Sequence, residues 1–295
     1  IIAGWSSPVA RQAHNLKVVG SNPTPATKSP FSYYHSAPSV RLISPPTTGA
    51  IEVLSQPSVY DTNVVMKPFV VLELRIGQVA PLGPNGICSG IDKMSVEAPT
   101  LARFTGMAGD AQGDRRHHGG PDKALHAYSV KHYDAWARDL SGDAQRFRPG
   151  AFGENLVVSD VSEAEICLFD RFRLGEAIVE VSQSRQPCWR LNLRFGRQDM
   201  ARLVQRSGRT GWYFRVLQEG RIAPGDVAKP IARPAPGWPL DRVWTLLYDD
   251  TLNRAALTDF AALQGLPERW RIMAENRLAR GEVEDWRRRI ETPGT

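Results

Sequence analysis

Just after Met66, apolar residues fall at alternate positions, Val70, Leu72, Leu74 and Ile76, the period of a strand with one buried face. Similar short runs over residues 166–174, 178–182 and 212–217 predict further strands. Turn-forming glycines separate them: those of 106–113, Gly119-Gly120, Gly175, Gly220 and Gly225-Asp226. This spacing suits a bent β-barrel better than alternating βαβ units. Helical composition intrudes only over 132–140 and 198–206. The character changes at Pro234-Ala235-Pro236-Gly237-Trp238-Pro239, where three prolines in six residues read as a linker over 234–240. Three apolar stripes at helical spacing follow: Val243, Leu246 and Leu247; Leu252, Ala255, Ala256 and Phe260; Trp270, Met273, Ala274 and Leu278. Pro267 opens the last helix and Gly281 closes it. The expected fold is mainly β with α: a twisted β-barrel over 66–233, then a small three-helix module over 241–295 that ends in a charged tail, 282–289.

Residues 1–65 differ in kind. They hold eight of the 22 prolines, ten serines and only six charged residues, and no sustained period. They read as a disordered extension, and Met66, the first methionine, reads as the biological start. The stretch from Arg11 to Pro23 resembles a peptide translated by mistake from an upstream transfer-RNA gene. Targeting peptides are the rival reading, but prolines at 23, 25, 30, 38, 45 and 46 interrupt both the apolar stretch of a secretory signal and an amphipathic transit helix.

Apolar runs such as 69–72 fall far short of the ~18 residues a membrane span needs. Three cysteines, Cys88, Cys167 and Cys188, are too few for a disulfide scaffold, a closed four-cysteine zinc site or an iron–sulfur cluster, so a cytoplasmic protein is expected. The net charge of +6 divides as +2 over 1–65, +5 over 66–240 and −1 over 241–295. A spread excess of this kind suits small anionic ligands, and without a concentrated stripe it disfavours nucleic acid as a partner.

Four constellations carry candidate chemistry. Cys188 has Arg185 and Arg190 as neighbours, which would favour a thiolate if they face it, and a thiolate is a soft ligand; taken alone, it reads rather as a small buried hydrophobe. In His118-Gly119-Gly120-Pro121-Asp122-Lys123 the paired glycines let a ligand approach the backbone, with Arg115, Arg116 and Lys123 nearby; the plain alternative is a Gly-Gly hairpin turn. His117 and His118 are adjacent and point apart in an extended chain, which disfavours a shared metal. Gly150-Ala151-Phe152-Gly153-Glu154-Asn155-Leu156 offers Asn155 to a heterocycle edge, or is simply a turn. Gly208-x-x-Gly211-Trp212 enters an aromatic strand that reads as core.

Taken in order, Gly109-Asp110, 118–124, Phe152-Gly153-Glu154-Asn155-Leu156, Arg185-x-Pro187-Cys188, Gly208-x-x-Gly211-Trp212 and Gly225-Asp226 resemble the molybdenum cofactor sulfurase C-terminal (MOSC) domain, of the YiiM type with a trailing three-helix domain. Phe169-Asp170 stands where that family often has Gly-Asp, and Ser184 where it often has proline. The resemblance implies a molybdopterin-type molybdenum cofactor with Cys188 as ligand to the metal. It further implies reduction of N-hydroxylated compounds, such as hydroxylamino base analogues, to amines with release of water. Arg115, Arg116, His118, Gly119, Gly120, Lys123 and Arg185 would hold the cofactor and its phosphate, and Asn155 would meet the pterin. The two electrons per turnover would come from a separate flavin or iron–sulfur reductase, since the chain has no dinucleotide fingerprint of its own. Two other functions stay open: a sulfur carrier working through a Cys188 persulfide, and a nucleic-acid-binding module.

Overall fold

A computed structural model describes residues 65–84, 86–114 and 118–294. The expected extension, Val65 aside, and the candidates Arg115, Arg116 and His117 lie outside the described residues.

Thirteen strands run in chain order: β1 (Phe69–Ile76), β2 (Ala80–Leu82), β3 (Ile87–Ser89), β4 (Met94–Val96), β5 (Thr100–Arg103), β6 (Gly106–Met107), β7 (Leu125–Ser129), β8 (Leu156–Val158), β9 (Arg171–Leu174), β10 (Ala177–Ser184), β11 (Trp212–Gln218), β12 (Gly220–Ile222) and β13 (Val227–Ala232). Seven of them close into a barrel in the order β1-β13-β9-β10-β11-β7-β8, back to β1. All pairings around the ring are antiparallel except β7–β8. A parallel pair needs a crossover, and helix α1 (Lys131–Asp139) lies on that connection.

The alternation expected of β1 breaks in the middle. Register shifts between Val71 and Glu73, so Phe69, Val71 and Leu74 are buried while Leu72 is 42% exposed. A bulge inserts one residue and flips the phase of all that follow, bending the strand as a small barrel requires. The apolar run 166–174 is likewise a strand only from Arg171. Before that, Phe169 adopts φ 66°, the one non-glycine residue with positive φ among those described, and its ring is buried. The turn therefore keeps the left-handed shape a glycine would take, with the cost of a β-carbon accepted in exchange for a core side chain.

Helices α2 (Arg190–Phe195) and α3 (Met200–Ser207) follow β10, and α4 (Leu240–Tyr248), α5 (Arg254–Ala261), α6 (Glu268–Arg280) and α7 (Arg287–Ile290) form the C-terminal part. Two clusters hold the molecule together. The larger runs from Phe69, Phe172, Trp212 and Phe214 inside the barrel to Trp238, Leu246, Phe260 and Trp270 of the C-terminal helices. The smaller lies outside β7 and β8, where Tyr128 and Val157 meet Trp136, Phe152, Phe195 and Met200.

The proline-rich segment docks rather than dangles: the Leu168 N–H donates to the Trp238 carbonyl at 2.9 Å, and the Leu240 N–H to that of Ile166 at 2.8 Å. In the second C-terminal stripe, Leu252 and Ala255 are exposed, and Leu257 joins Phe260 as the buried pair. The charged tail also returns to the body, with Ile290 buried. Its anchor is Arg277, buried, which forms two hydrogen bonds to Glu284 at 2.9 and 2.8 Å and donates to the carbonyls of Leu246 and Leu247. No helix among the described residues is long and apolar enough to cross a membrane.

Candidate functional site

Strand β10 ends at Ser184, and the chain leaves the sheet as Arg185-Gln186-Pro187-Cys188-Trp189 before turning into α2. Two neighbouring strands bring Tyr213 (β11) and His126 (β7) opposite one another. Because side chains alternate along a strand, His126 and Tyr213 leave the barrel interior to Leu125, Ala127, Trp212 and Phe214. Together with the loops at 89–93 and 110–114, they wall a narrow cavity that opens to solvent. Cys188, His118, Lys123, Asn155, Arg185, Arg190, Lys93 and Asp110 all line it. The two loops are drawn together at Gly90, where a β-carbon would meet the Ala111 carbonyl oxygen at 1.9 Å.

Cys188 is 7% exposed. Burial opposes its ionisation, but the hydrogen bond and charge of His118, the Arg185 guanidinium and the Arg190 backbone N–H outweigh it, bringing the thiol down to about 6. His118 Nε2 lies 3.8 Å from Sγ and 3.1 Å from Arg190 Nη1. A guanidinium N–H donates to a bare Nε2 lone pair, whereas a thiolate calls for a protonated Nε2. One Nε2 cannot answer both calls at once, so His118 is shared between the thiol and Arg190. Cys167 makes the contrast: burial, then the carboxylate of Asp170, push its thiol up to about 12.

Arg185 is itself buried, and its Nη1 has no hydrogen-bond partner among the described residues. A buried guanidinium N–H without an acceptor is costly, so Arg185 sets an unspent donor and a positive charge in the wall of the cavity. Burial, then the charge of Arg269, bring Lys123 down to about 8, against the pull of Cys188. Burial and the Arg185 charge push His126 to about 3, so it faces the cavity as a neutral ring.

Several candidates prove to be scaffold. Asn155 is on the wall, but its Nδ2 donates to Asp110 Oδ2 at 3.0 Å and the Arg75 carbonyl at 3.2 Å, while Oδ1 accepts from the His126 N–H at 3.1 Å. One lone pair is left to it, and the expected contact with a heterocycle edge gives way to a bracing role. Lys93 and Asp110 form a buried ion pair in the same network. Glu154, fully buried, accepts from Tyr133 and from the backbone N–H groups of Gly150 and Phe152, shaping its own turn. Glu163 binds His132 at 2.9 Å and the N–H groups of Thr210 and Gly211 at 3.0 and 2.8 Å, and the Gly211 carbonyl accepts from the Arg185 N–H. Gly211, at φ 69°, admits no β-carbon: one would stand 2.3 Å from the Ala127 carbonyl oxygen.

Gly119 and Gly120 do not line the Cys188 cavity. They border an adjacent groove with Gln183, Gln186 and Arg269, and Pro121–Lys123 forms a 3-10 turn rather than a hairpin. Lys123 lines both spaces. Cys188 also faces an outer chamber walled by Lys123, Arg190, Arg269, Arg288 and Arg289, with Asp114 its one acidic lining residue. Sequence reasoning missed the three C-terminal arginines because their segment is net acidic, missed Tyr213 because it sits in a run that reads as core, and missed His126 because no pattern marks 125–129 as a strand.

Comparison with known proteins agrees with this arrangement. Residues 114–229 match the MOSC domain, and residues 238–281 match the YiiM-like, 3-alpha helix domain. The chain is 38% identical over 205 residues to the uncharacterized protein YflK of Bacillus subtilis (strain 168), covering 69% of this chain and 91% of YflK. It is 34% identical over 210 residues to protein YiiM of Escherichia coli (strain K12), covering 70% of this chain and 92% of YiiM. The crystal structure of YiiM from Escherichia coli superposes with a TM-score of 0.63 at 28% identity, over 73% of this chain and all of that one (100%). A protein named "Reductase" from Gibberella moniliformis (strain M3125 / FGSC 7600) is 36% identical over 180 residues, 60% of this chain but 32% of its own length.

Proposed function

Because the chain belongs to the MOSC-domain family, of the YiiM type with a C-terminal 3-alpha helix domain, we propose that it is a molybdenum-cofactor-dependent reductase of N-hydroxylated compounds, with Cys188 as the protein ligand to the metal. The observation that carries this reading is the meeting, in one cavity, of an acidic thiol with the cationic side chains of Arg185 and Lys123. A soft thiolate would suit a soft metal centre, and the two cations would suit the anionic phosphate of a pterin cofactor. The residues present therefore fit such a cofactor.

When bound, that group supplies two-electron oxygen-acceptor chemistry, so that R–NHOH, two electrons and two protons become R–NH2 and water. The chain's own part is to bind and to shield. Cys188 would hold the metal, Arg185 and Lys123 would set positive charge beside anionic oxygens, and neutral His126 and Tyr213 would wall the space left for the substrate. Electrons are proposed to arrive from a separate flavin or iron–sulfur reductase, to whose acidic surface the cationic outer chamber is suited.

The sulfur-carrier alternative needs a persulfide that can be handed to another protein, and a thiol only 7% exposed beneath a rim of cations suits a bound cofactor better. The test is expression in a cofactor-competent host, metal and pterin analysis, and turnover of an N-hydroxylated purine with reduced viologen. Stoichiometric molybdenum with amine formation is expected. Molybdenum-free protein carrying labile sulfur would reverse the choice.

A further inference from the structure

The loop that presents Cys188 is held from outside the barrel by Tyr248, whose hydroxyl accepts from Gln186 Nε2 at 3.3 Å, and on both sides of the cysteine by a residue 101 positions further along the chain. Arg289 Nη1 donates to the Pro187 carbonyl at 2.5 Å, and the Arg289 carbonyl accepts from the Trp189 N–H at 2.7 Å. The peptide groups on either side of Cys188 thus both bond to Arg289. The guanidinium is itself oriented, with Nη2 donating to Gln205 Oε1 at 2.7 Å and its plane beside the Tyr248 ring, 5.6 Å from the centroid. The segment around it is pinned at both ends. On one side buried Arg277 pairs with partly exposed Glu284; on the other, Asn192 Nδ2 donates to the Ile290 carbonyl at 3.0 Å and to Thr292 Oγ1 at 3.2 Å. Within the loop itself the Cys188 carbonyl accepts from the Leu191 N–H, which fixes the start of α2 but not the approach to it.

We propose that Arg289 is a positioning residue for Cys188, and that the C-terminal segment sets how far the thiol is sheltered in its cavity. The inference rests on reading Cys188 as the working thiol, but not on what that thiol binds. It is tested on the full chain from a host lacking the cofactor, by mass-spectrometric rates of iodoacetamide alkylation at each cysteine under native conditions. Exposed Cys88 serves as the internal reference.

Arg289→Met should raise the Cys188 rate about tenfold, the scale expected from losing one charge-assisted hydrogen bond to a buried loop, and leave Cys88 unchanged. Gln205→Ala, which removes only the orienting partner, should raise it by about threefold. Arg202→Ala, which breaks an exposed contact of the same tail with Glu291, should not move it. An unchanged Cys188 rate in both Arg289→Met and Gln205→Ala, or an equal rise in Arg202→Ala, would overturn the proposal. If Arg289→Met fails to fold, Gln205→Ala against Arg202→Ala decides alone. Molybdenum-free protein from every host would sink the proposed function and leave this measurement intact.

Discussion

A thiol beneath a guanidinium and a thiol beside a carboxylate behave differently, and this chain contains both. Cys188, brought to about 6, is the thiol proposed to hold the metal, whereas Cys167, pushed to about 12, donates weakly to the Pro236 carbonyl and packs. Cys188→Ser should therefore cut molybdenum content to under about a tenth while shifting the melting temperature by no more than a degree or two, since a hydroxyl is a harder ligand of similar size. Cys167→Ser should keep its metal. Elemental analysis beside thermal melting separates the two outcomes. His126 makes a second prediction. Its folded-state value of about 3 lies below the ordinary 6.5, so the unfolded chain takes up a proton that the folded one refuses. Stability from this group is full above about pH 6.5 and fades as pH falls toward 3, by about 2 kcal/mol at pH 5. Urea melts at pH 7 and pH 5 should show that difference in the wild type and lose it in His126→Gln.

At the scale of elements, bulges and turns set the wall in which these groups stand. The turn before β9 carries Phe169 in a left-handed conformation with its ring in the core. Phe169→Gly relieves about 1 kcal/mol of backbone strain but empties an aromatic site worth about 3–5 kcal/mol, so a net loss of about 3 kcal/mol is expected in denaturant melts. A stabilised variant would show that the strain outweighs the packing. Gly211 presents the opposite balance. Its β-carbon would collide with the Ala127 backbone, and the carbonyl of Gly211 holds the Arg185 N–H, so Gly211→Ala should weaken both the fold and the site. The expected sign is a melting temperature lower by several degrees together with reduced molybdenum retention.

In the whole molecule, the C-terminal helices share one hydrophobic cluster with the barrel and reach back to the Cys188 loop. Removing 282–295 would strip half-exposed Glu284 from buried Arg277, which keeps its Leu246 and Leu247 acceptors, at a cost of about 2 kcal/mol. A melting temperature lower by about 6 °C is the expected result, using roughly 2–4 °C per kcal/mol for a domain of this size. A truncated chain that melts like the intact one would mean that the tail is ornamental to the fold.

The sequence by itself determined the periodic parts. The cores of β10 and β11, α1, α3 and the caps of α6 follow from local pattern, since alternation, helical spacing, Pro267 and Gly281 act over a few residues. Ordered motifs likewise marked Cys188, Arg185, His118 and Lys123 before any of them had neighbours. Only the tertiary structure decided the rest. A bulge at Leu72 moved the buried face of β1, because a single inserted residue reverses every later side chain. Asn155 spent its amide on Asp110 and two backbone groups, a choice that depends on what long-range packing places within reach. Net charge averages over all faces of a segment, so residues 241–295, at −1, gave no sign of a cationic surface. Folding sends Arg269, Arg288 and Arg289 to the mouth of the Cys188 site, and contact across more than 80 residues is something no local pattern encodes.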